Sequence, residues 1–269
     1  MRIRSGWHFY LINLRAGIRS FIKSIDYFRF REYLMAMEEM DSGLDCHRKI
    51  KTIDVGCGEE LFGIFLAKTD NLLDVTAIDI DQRKINLQIK YFNKLKSGCH
   101  NFRAELVNAG KMPYADNTFD LATCFAVLPL IKGEEDIKIV KEIARVLNIG
   151  GTAYITVGYG KSYREQWNVA NAKGFSRVYN EIELQKRLIS NSGLELKKRL
   201  YFGQPKINFS RFWFRLPFLI KLPFRWMTPL FTLAFLKSIN PEMINETNQD
   251  KVDGVFLVLK KISRGHSYV

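Results

Sequence analysis

The chain has 269 residues, 47% of them hydrophobic, and a formal net charge of +13. That length and apolar content are enough to bury a sizeable core, which excludes a disordered chain, while the charge calls for an anionic partner: nucleic acid, acidic lipid headgroups or an acidic substrate. The four cysteines (Cys46, Cys57, Cys99, Cys124) form no C-x-x-C pair and lie near no histidine cluster, so no zinc site or disulfide framework is expected, and a reducing cytoplasm fits.

The basicity is regional. Before Asp26 there are five cations (Arg2, Arg4, Arg15, Arg19, Lys23) and no acid; between Leu196 and Pro241 there are nine more, again without an acid. From Trp7 the apolar residues Leu11, Leu14, Ile18, Phe21 and Ile25 recur at helical spacing while Arg15, Arg19 and Lys23 lie on another face, which predicts a basic amphipathic helix. The apolar run 9–14 is short and no cleavage site follows it, so it is not read as a signal peptide. A second helix is expected over 26–40, closed by Asp41-Ser42-Gly43.

Strands and helices then alternate: strand 50–55, helix 61–68, strand 73–80, helix 82–96, strand 102–107, strand 119–127, helix 134–147 and strand 152–157. That order predicts a doubly wound, mostly parallel α/β sheet. Beyond Gly160 the pattern loosens into a helix over 181–190 and extended segments over 194–201 and 255–260. The domain organisation expected is an N-terminal helical extension (1–45), a core domain (46–203 and 250–264) and a late basic aromatic insertion (204–249).

The first strand ends in Ile53-Asp54-Val55-Gly56-Cys57-Gly58 and a helix follows at once. Glycines there let the backbone turn tightly and approach a ligand, and in open α/β sheets ligands sit at that carboxyl edge. The second strand closes on Asp79, at the interval where a carboxylate can take the two hydroxyls of an adenosine ribose. A nicotinamide-dependent oxidoreductase shares these features, but its G-x-G-x-x-G would need glycine where Leu61 stands.

Three further stretches carry a resemblance. Asn108-Ala109-Gly110-Lys111-Met112-Pro113-Tyr114-Ala115-Asp116-Asn117-Thr118-Phe119-Asp120, Glu142-Ile143-Ala144-Arg145-Val146-Leu147-Asn148-Ile149-Gly150-Gly151 and the strand after it, together with the glycine turn, resemble the ordered motifs of class I S-adenosylmethionine-dependent methyltransferases over residues 48–158. The resemblance implies a seven-stranded Rossmann-like methyltransferase fold with S-adenosyl-L-methionine as cofactor. It places the methionine part of the cofactor against Asp54, Gly56 and Gly58 and the ribose on Asp79. It puts Ile80 on the adenine, Asn108 and Ala109 at its polar edge, and Phe125 nearby. Phe119, Val127, Ile143 and Val146 read as core.

The sequence departs from the family at three places: Glu60 replaces the third glycine, Val127-Leu128-Pro129-Leu130 lacks the histidine of many relatives, and Ile149 replaces a proline. No catalytic residue and no metal site is identified; His8 and His47 are candidate bases only through their place in the extension. Between Tyr201 and Phe235 lie eleven aromatics, with prolines at 217, 223 and 229, interspersed with Lys and Arg. Such a segment suits a lipid-water interface, or serves as a cap over the site. The expectation is therefore a methyltransferase acting on a small or lipid-like amphiphile, cytoplasmic or peripheral at the inner face of a membrane, with nucleic acid a less suitable partner. The alternatives left open are the Rossmann-type oxidoreductase and a non-catalytic membrane-associated scaffold.

Overall fold

The computed structural model describes residues 6–17, 27–43, 48–69, 71–95, 101–167, 174–203, 216–217, 219–220, 237–239 and 252–263. Two helices, α1 (Gly6–Ala16) and α2 (Tyr27–Gly43), precede the sheet. Then follow β1 (Ile50–Val55), α3 (Phe62–Thr69), β2 (Leu73–Asp79), α4 (Gln82–Leu95), β3 (Phe102–Leu106) and β4 (Phe119–Phe125). After a short 3-10 turn come α5 (Glu135–Val146), β5 (Leu147–Gly158), β6 (Arg164–Trp167), β7 (Phe175–Val178) and α6 (Glu181–Leu184), which continues as a π-type turn to Ser190. β8 (Glu195–Gly203), β9 (Lys237–Ile239) and β10 (Val252–Lys260) close the chain.

The main sheet runs β3-β2-β1-β4-β5-β10-β8-β9. β3, β2, β1, β4 and β5 pair in parallel, and β10 runs antiparallel between β5 and β8. The seven-stranded, mostly parallel sheet expected from the sequence is thus present, with the three-residue β9 added at its edge, drawn from within the expected insertion. Central strands covered on both faces must be apolar throughout, and β2 accordingly buries nearly every residue. One core cluster packs α1 to α4 on one face; the other packs α5 and the π-type turn on the opposite face. The strand order reverses between β1 and β4, and their carboxyl ends open a crevice there.

Two expectations are corrected. α1 ends at Ala16, before Gly17 at φ +126°, and it buries Phe9, Asn13 and Ala16, while Trp7, Leu11 and Leu14 are about half exposed. The physical reason is Phe9, which enters an aromatic cluster with Phe30, Tyr33, Phe62 and Phe65 and so turns the other stripe outward. Ile18, Phe21 and Ile25 lie outside the described residues, as do Cys46, Cys99, His47, His100 and most of the 204–249 insertion. The second correction is Val127: it is only half-buried and lines the crevice, whereas Phe119, Ile143 and Val146 are core. An antiparallel hairpin, β6 with β7, was not expected at all.

Candidate active site

The turn after β1 is built on left-handed backbone. Gly56 has φ +70° and Gly58 +61°, a region that side chains with a Cβ rarely adopt, and a Cβ on Gly56 would collide with Val127. Gly56 N and Cys57 N donate to the Ile78 carbonyl at 2.8 and 3.0 Å, which ties the turn to the end of β2. Gly58 N donates to Asp79 Oδ2 at 3.1 Å and Asp81 N to Asp79 Oδ1 at 2.9 Å, with Lys84 Nζ 3.4 Å from Oδ2. The Asp79 carboxylate is therefore fixed in direction by two backbone amides and a cation. The helix-start role that could have claimed it falls to Asp81, which accepts from Arg83 N.

Asp54 is buried and accepts from the Thr123 hydroxyl of the neighbouring β4 at 2.7 Å. Burial raises its carboxyl to about 6; the Thr123 bond and Arg29 work downward, Glu60 and Asp79 upward. Asn108 Oδ1 accepts from Gly110 N and shapes the turn after β3, while Val107 N donates to the Asp79 carbonyl. Ile80 is 73% exposed at the lip, and Phe125 packs edge-on to Phe62 and Tyr33.

A cavity of about 510 Å³ occupies this edge, lined among others by Gly56, Gly58, Asp79, Ile80, Asn108 and Ala109. A small polar recess lined by Asp54, Phe125 and Gly56 adjoins it. All eight residues singled out from the sequence meet here. His8 lies on α1, at a different depression beside Lys68. Among the described residues no histidine lines the cavity or the recess, and no cluster of three His, Cys, Asp or Glu could hold a metal.

Several residues of the site went unremarked in the sequence. Arg29 of α2 reaches across to donate from Nη1 to the Phe125 carbonyl at 2.7 Å and to Glu32 at 2.9 Å, and its Nε lies 3.8 Å from Glu60 Oε1. Burial opposes its charge, but Glu32 and Glu60 outweigh that and hold its pKa above the ordinary value. Tyr33, one turn on, stacks on Phe62 at 4.5 Å and 8°, and burial, reinforced by Glu60, pushes its hydroxyl well above the usual range. Gln88 of α4 donates from Nε2 to the Gly58 carbonyl at 3.1 Å and the Glu60 carbonyl at 2.6 Å, bracing the turn from behind. On the opposite wall, buried Asp136 pairs with Arg177 and Arg187 at 2.7 and 2.6 Å and accepts from Tyr179. Both arginines also donate to the Gly133 carbonyl, fixing the loop that brings Leu130 and Ile131 to the cavity.

The sequence matches the methyltransferase domain family over residues 53–155. Among solved structures, a SAM-dependent methyltransferase from Methanosarcina mazei is 17% identical, with a TM-score of 0.55 over 83% of this chain and 96% of that one. A 1,6-didemethyltoxoflavin-N1-methyltransferase from Burkholderia thailandensis, holding its substrate and S-adenosylhomocysteine, is 13% identical, with a TM-score of 0.56 over 89% and 80%. The [4+2]-cyclase SpnF is 20% identical, with a TM-score of 0.56 over 85% and 80%. At these identities the structures speak for the fold alone, which SpnF shows can carry other chemistry. A search of curated proteins finds no match. The ordered motifs, the sheet order and the family match over residues 53–155 thus agree on a methyltransferase domain within this chain.

Proposed function

We propose that the chain methylates a small amphiphilic acceptor that it meets at an anionic membrane surface, using the β1-β4 crevice for the cofactor. The fit to S-adenosylmethionine is supported by the left-handed turn at Gly56, where any Cβ would strike Val127 of the cavity wall, and by the Asp79 carboxylate, which two amides aim along the edge. Asp79 would accept from both ribose hydroxyls, Ile80 would cover one adenine face, and Asn108 and the Ala109 backbone would meet its polar edge. Asp54, Gly56, Gly58 and Phe125 would surround the methionine end. When bound, S-adenosylmethionine supplies a methyl group already activated by its sulfonium. The protein then has to align acceptor and donor and exclude water, which the aromatic wall of Tyr33, Phe62 and Phe125 does at the recess. No side chain is assigned as general base.

The observation that carries the acceptor class is the apolar surface left facing outward in the acid-free parts of the chain. Trp7, Leu11 and Leu14 form one such stripe on α1 beside Arg15. Leu219 and Ile220, 78% and 49% exposed, form another between Arg215 and Lys221 of the sequence. Rings and aliphatic chains flanked by cations settle at headgroup depth. Among the described residues no helix is long and apolar enough to cross a membrane, so the attachment proposed is peripheral.

Tritiated-methyl transfer into fractionated lipid, small-molecule, protein and RNA pools tests the acceptor: label is expected in the lipid or amphiphile fraction, and label confined to RNA or protein defeats the reading. Flotation with vesicles of 70% phosphatidylcholine and 30% phosphatidylglycerol tests the surface. Neutralising Arg211, Arg215, Lys221 and Arg225 together is expected to reduce it, and unchanged flotation favours a water-soluble acceptor under a capping insertion.

A further inference from the structure

The residue that breaks the family's glycine pattern also faces the N-terminal extension. The Glu60 side chain folds back over Gly58, so that a Cβ there would strike its Oε2, and its other oxygen faces the Arg29 guanidinium at 3.8 Å. That separation is an ion pair without a hydrogen bond. Both partners remain partly open to the cavity, with side-chain exposures of 22% for Arg29 and 27% for Glu60. Arg29 is otherwise held firmly through Nη1, by Glu32 and the Phe125 carbonyl. Arg29 also lines both the recess and the cavity, and its planar fork is the geometry that receives a carboxylate through two parallel bonds. The Glu60 backbone, by contrast, is pinned by Gln88 through its carbonyl. The Glu60 side chain can therefore leave Arg29 without disturbing the turn.

The recess between them is lined by Arg29, Tyr33, Asp54, Gly56, Glu60 and Phe125. Two carboxylates, Asp54 and Glu60, line it with one arginine, and Asp79 lines the adjoining cavity. An amino-acid terminus entering such a recess brings an ammonium that Asp54 can take and a carboxylate that Glu60 repels while it stays on Arg29. We propose that Glu60 is a resident carboxylate standing in for the cofactor's own. On loading, Arg29 exchanges Glu60 for the α-carboxylate, and the displaced Glu60 turns toward solvent. The pair thereby acts as a gate that admits ligands with an amino-acid end and weakens them by the strength of the contact they must replace. This rests on the cofactor reading above, and Arg29 and Glu60 are positioning residues within it.

The test compares two ligands on the full chain by isothermal titration: S-adenosylhomocysteine, and 5′-methylthioadenosine, which shares the adenosine and thioether but lacks the amino-acid end. Arg29→Gln is expected to weaken S-adenosylhomocysteine about tenfold or more, the size of a lost charge-assisted hydrogen bond, and to leave methylthioadenosine within about twofold. Arg29→Lys should restore part of the loss. Glu60→Gln is expected to tighten S-adenosylhomocysteine several-fold with methylthioadenosine unchanged. Equal shifts in both ligands, or weaker S-adenosylhomocysteine binding by Glu60→Gln, overturn the gate while leaving the cofactor reading intact. Failure of the wild type to bind either ligand overturns both. If Arg29→Gln does not fold, Glu60→Gln decides alone.

Discussion

The two ends of the crevice are made in different ways. At the ribose end the contacts that fix the Asp79 carboxylate come from two neighbouring turns: the amide of Gly58 after β1, and the amide of Asp81 and the ammonium of Lys84 after β2. At the methionine end Asp54 comes from β1, Thr123 and Phe125 from β4, and Arg29 and Tyr33 from α2, with Phe9 of α1 packed behind Tyr33. One end is set by two adjacent turns and depends on their backbone geometry; the other is assembled over longer range and depends on packing. A perturbation of packing should therefore act on one end and a perturbation of the turn on the other, although both belong to one pocket.

The strongest break acts through Phe9, fully buried in its aromatic cluster. Phe9→Ala is expected to cost about 3–5 kcal/mol of stability, seen as a lower Tm in thermal unfolding. In the fraction that remains folded, S-adenosylhomocysteine should bind more weakly and methylthioadenosine as before. Asp79→Ala is the converse. It removes a charged acceptor from two ribose hydroxyls, for about 3 kcal/mol or a hundredfold in affinity, and both ligands should lose it alike. If each variant weakened the two ligands by the same factor, the division between the ends would collapse.

A gentler lever is pH. Asp54 is raised to about 6, first by burial, with Arg29, Glu60, Asp79 and Tyr33 facing it and the Thr123 hydroxyl bonded to it. Below that pH it is protonated and cannot pair with an ammonium. Affinity for S-adenosylhomocysteine is expected to fall by up to about tenfold per pH unit below 6, with methylthioadenosine flat and Asp54→Asn removing the dependence. The cofactor-free fold responds in the opposite sense. A carboxyl raised on folding contributes stability that is complete below its ordinary value near 3.8 and is lost as pH rises through about 6. Relative to Asp54→Asn, the empty wild type should therefore gain stability toward pH 4, over the range where it loses the ligand.

The same division explains what the sequence disclosed. Gly56 and Asp79 were legible because their roles are set within a few residues by a turn and a strand end, and the strand-helix alternation from β1 to β5 is equally local. Arg29 and Tyr33 were not, since on α2 they share the spacing of ordinary core residues and only the tertiary fold brings them 96 and 92 residues away to Phe125. Gln88 was not legible either, since its inward place against two carbonyls is set by the turn it braces. The β6-β7 hairpin gave no signal because β6 is exposed along its whole length and has no alternation.

α1 shows why periodicity alone could not choose a face, and it gives the smallest of the expected effects. Trp7, Leu11 and Leu14 share one helical stripe, while Phe9, Asn13 and Ala16 share another at the same spacing. The ring cluster of Phe30, Tyr33, Phe62 and Phe65 that receives Phe9 decided between them, and Asn13 was accommodated by donating to the Phe9 carbonyl within the helix. The outward stripe then contributes little to the fold, since exposed side chains have already lost most of their burial energy. Leu11→Ser with Leu14→Ser should leave Tm nearly unchanged and the two ligand affinities untouched, in contrast to Phe9→Ala two residues away. Flotation with the anionic vesicles should fall several-fold, because about 0.8 kcal/mol is lost for each methylene withdrawn from lipid. If flotation holds while Tm drops, the stripe is covered by the protein itself, and α1 is core on both faces.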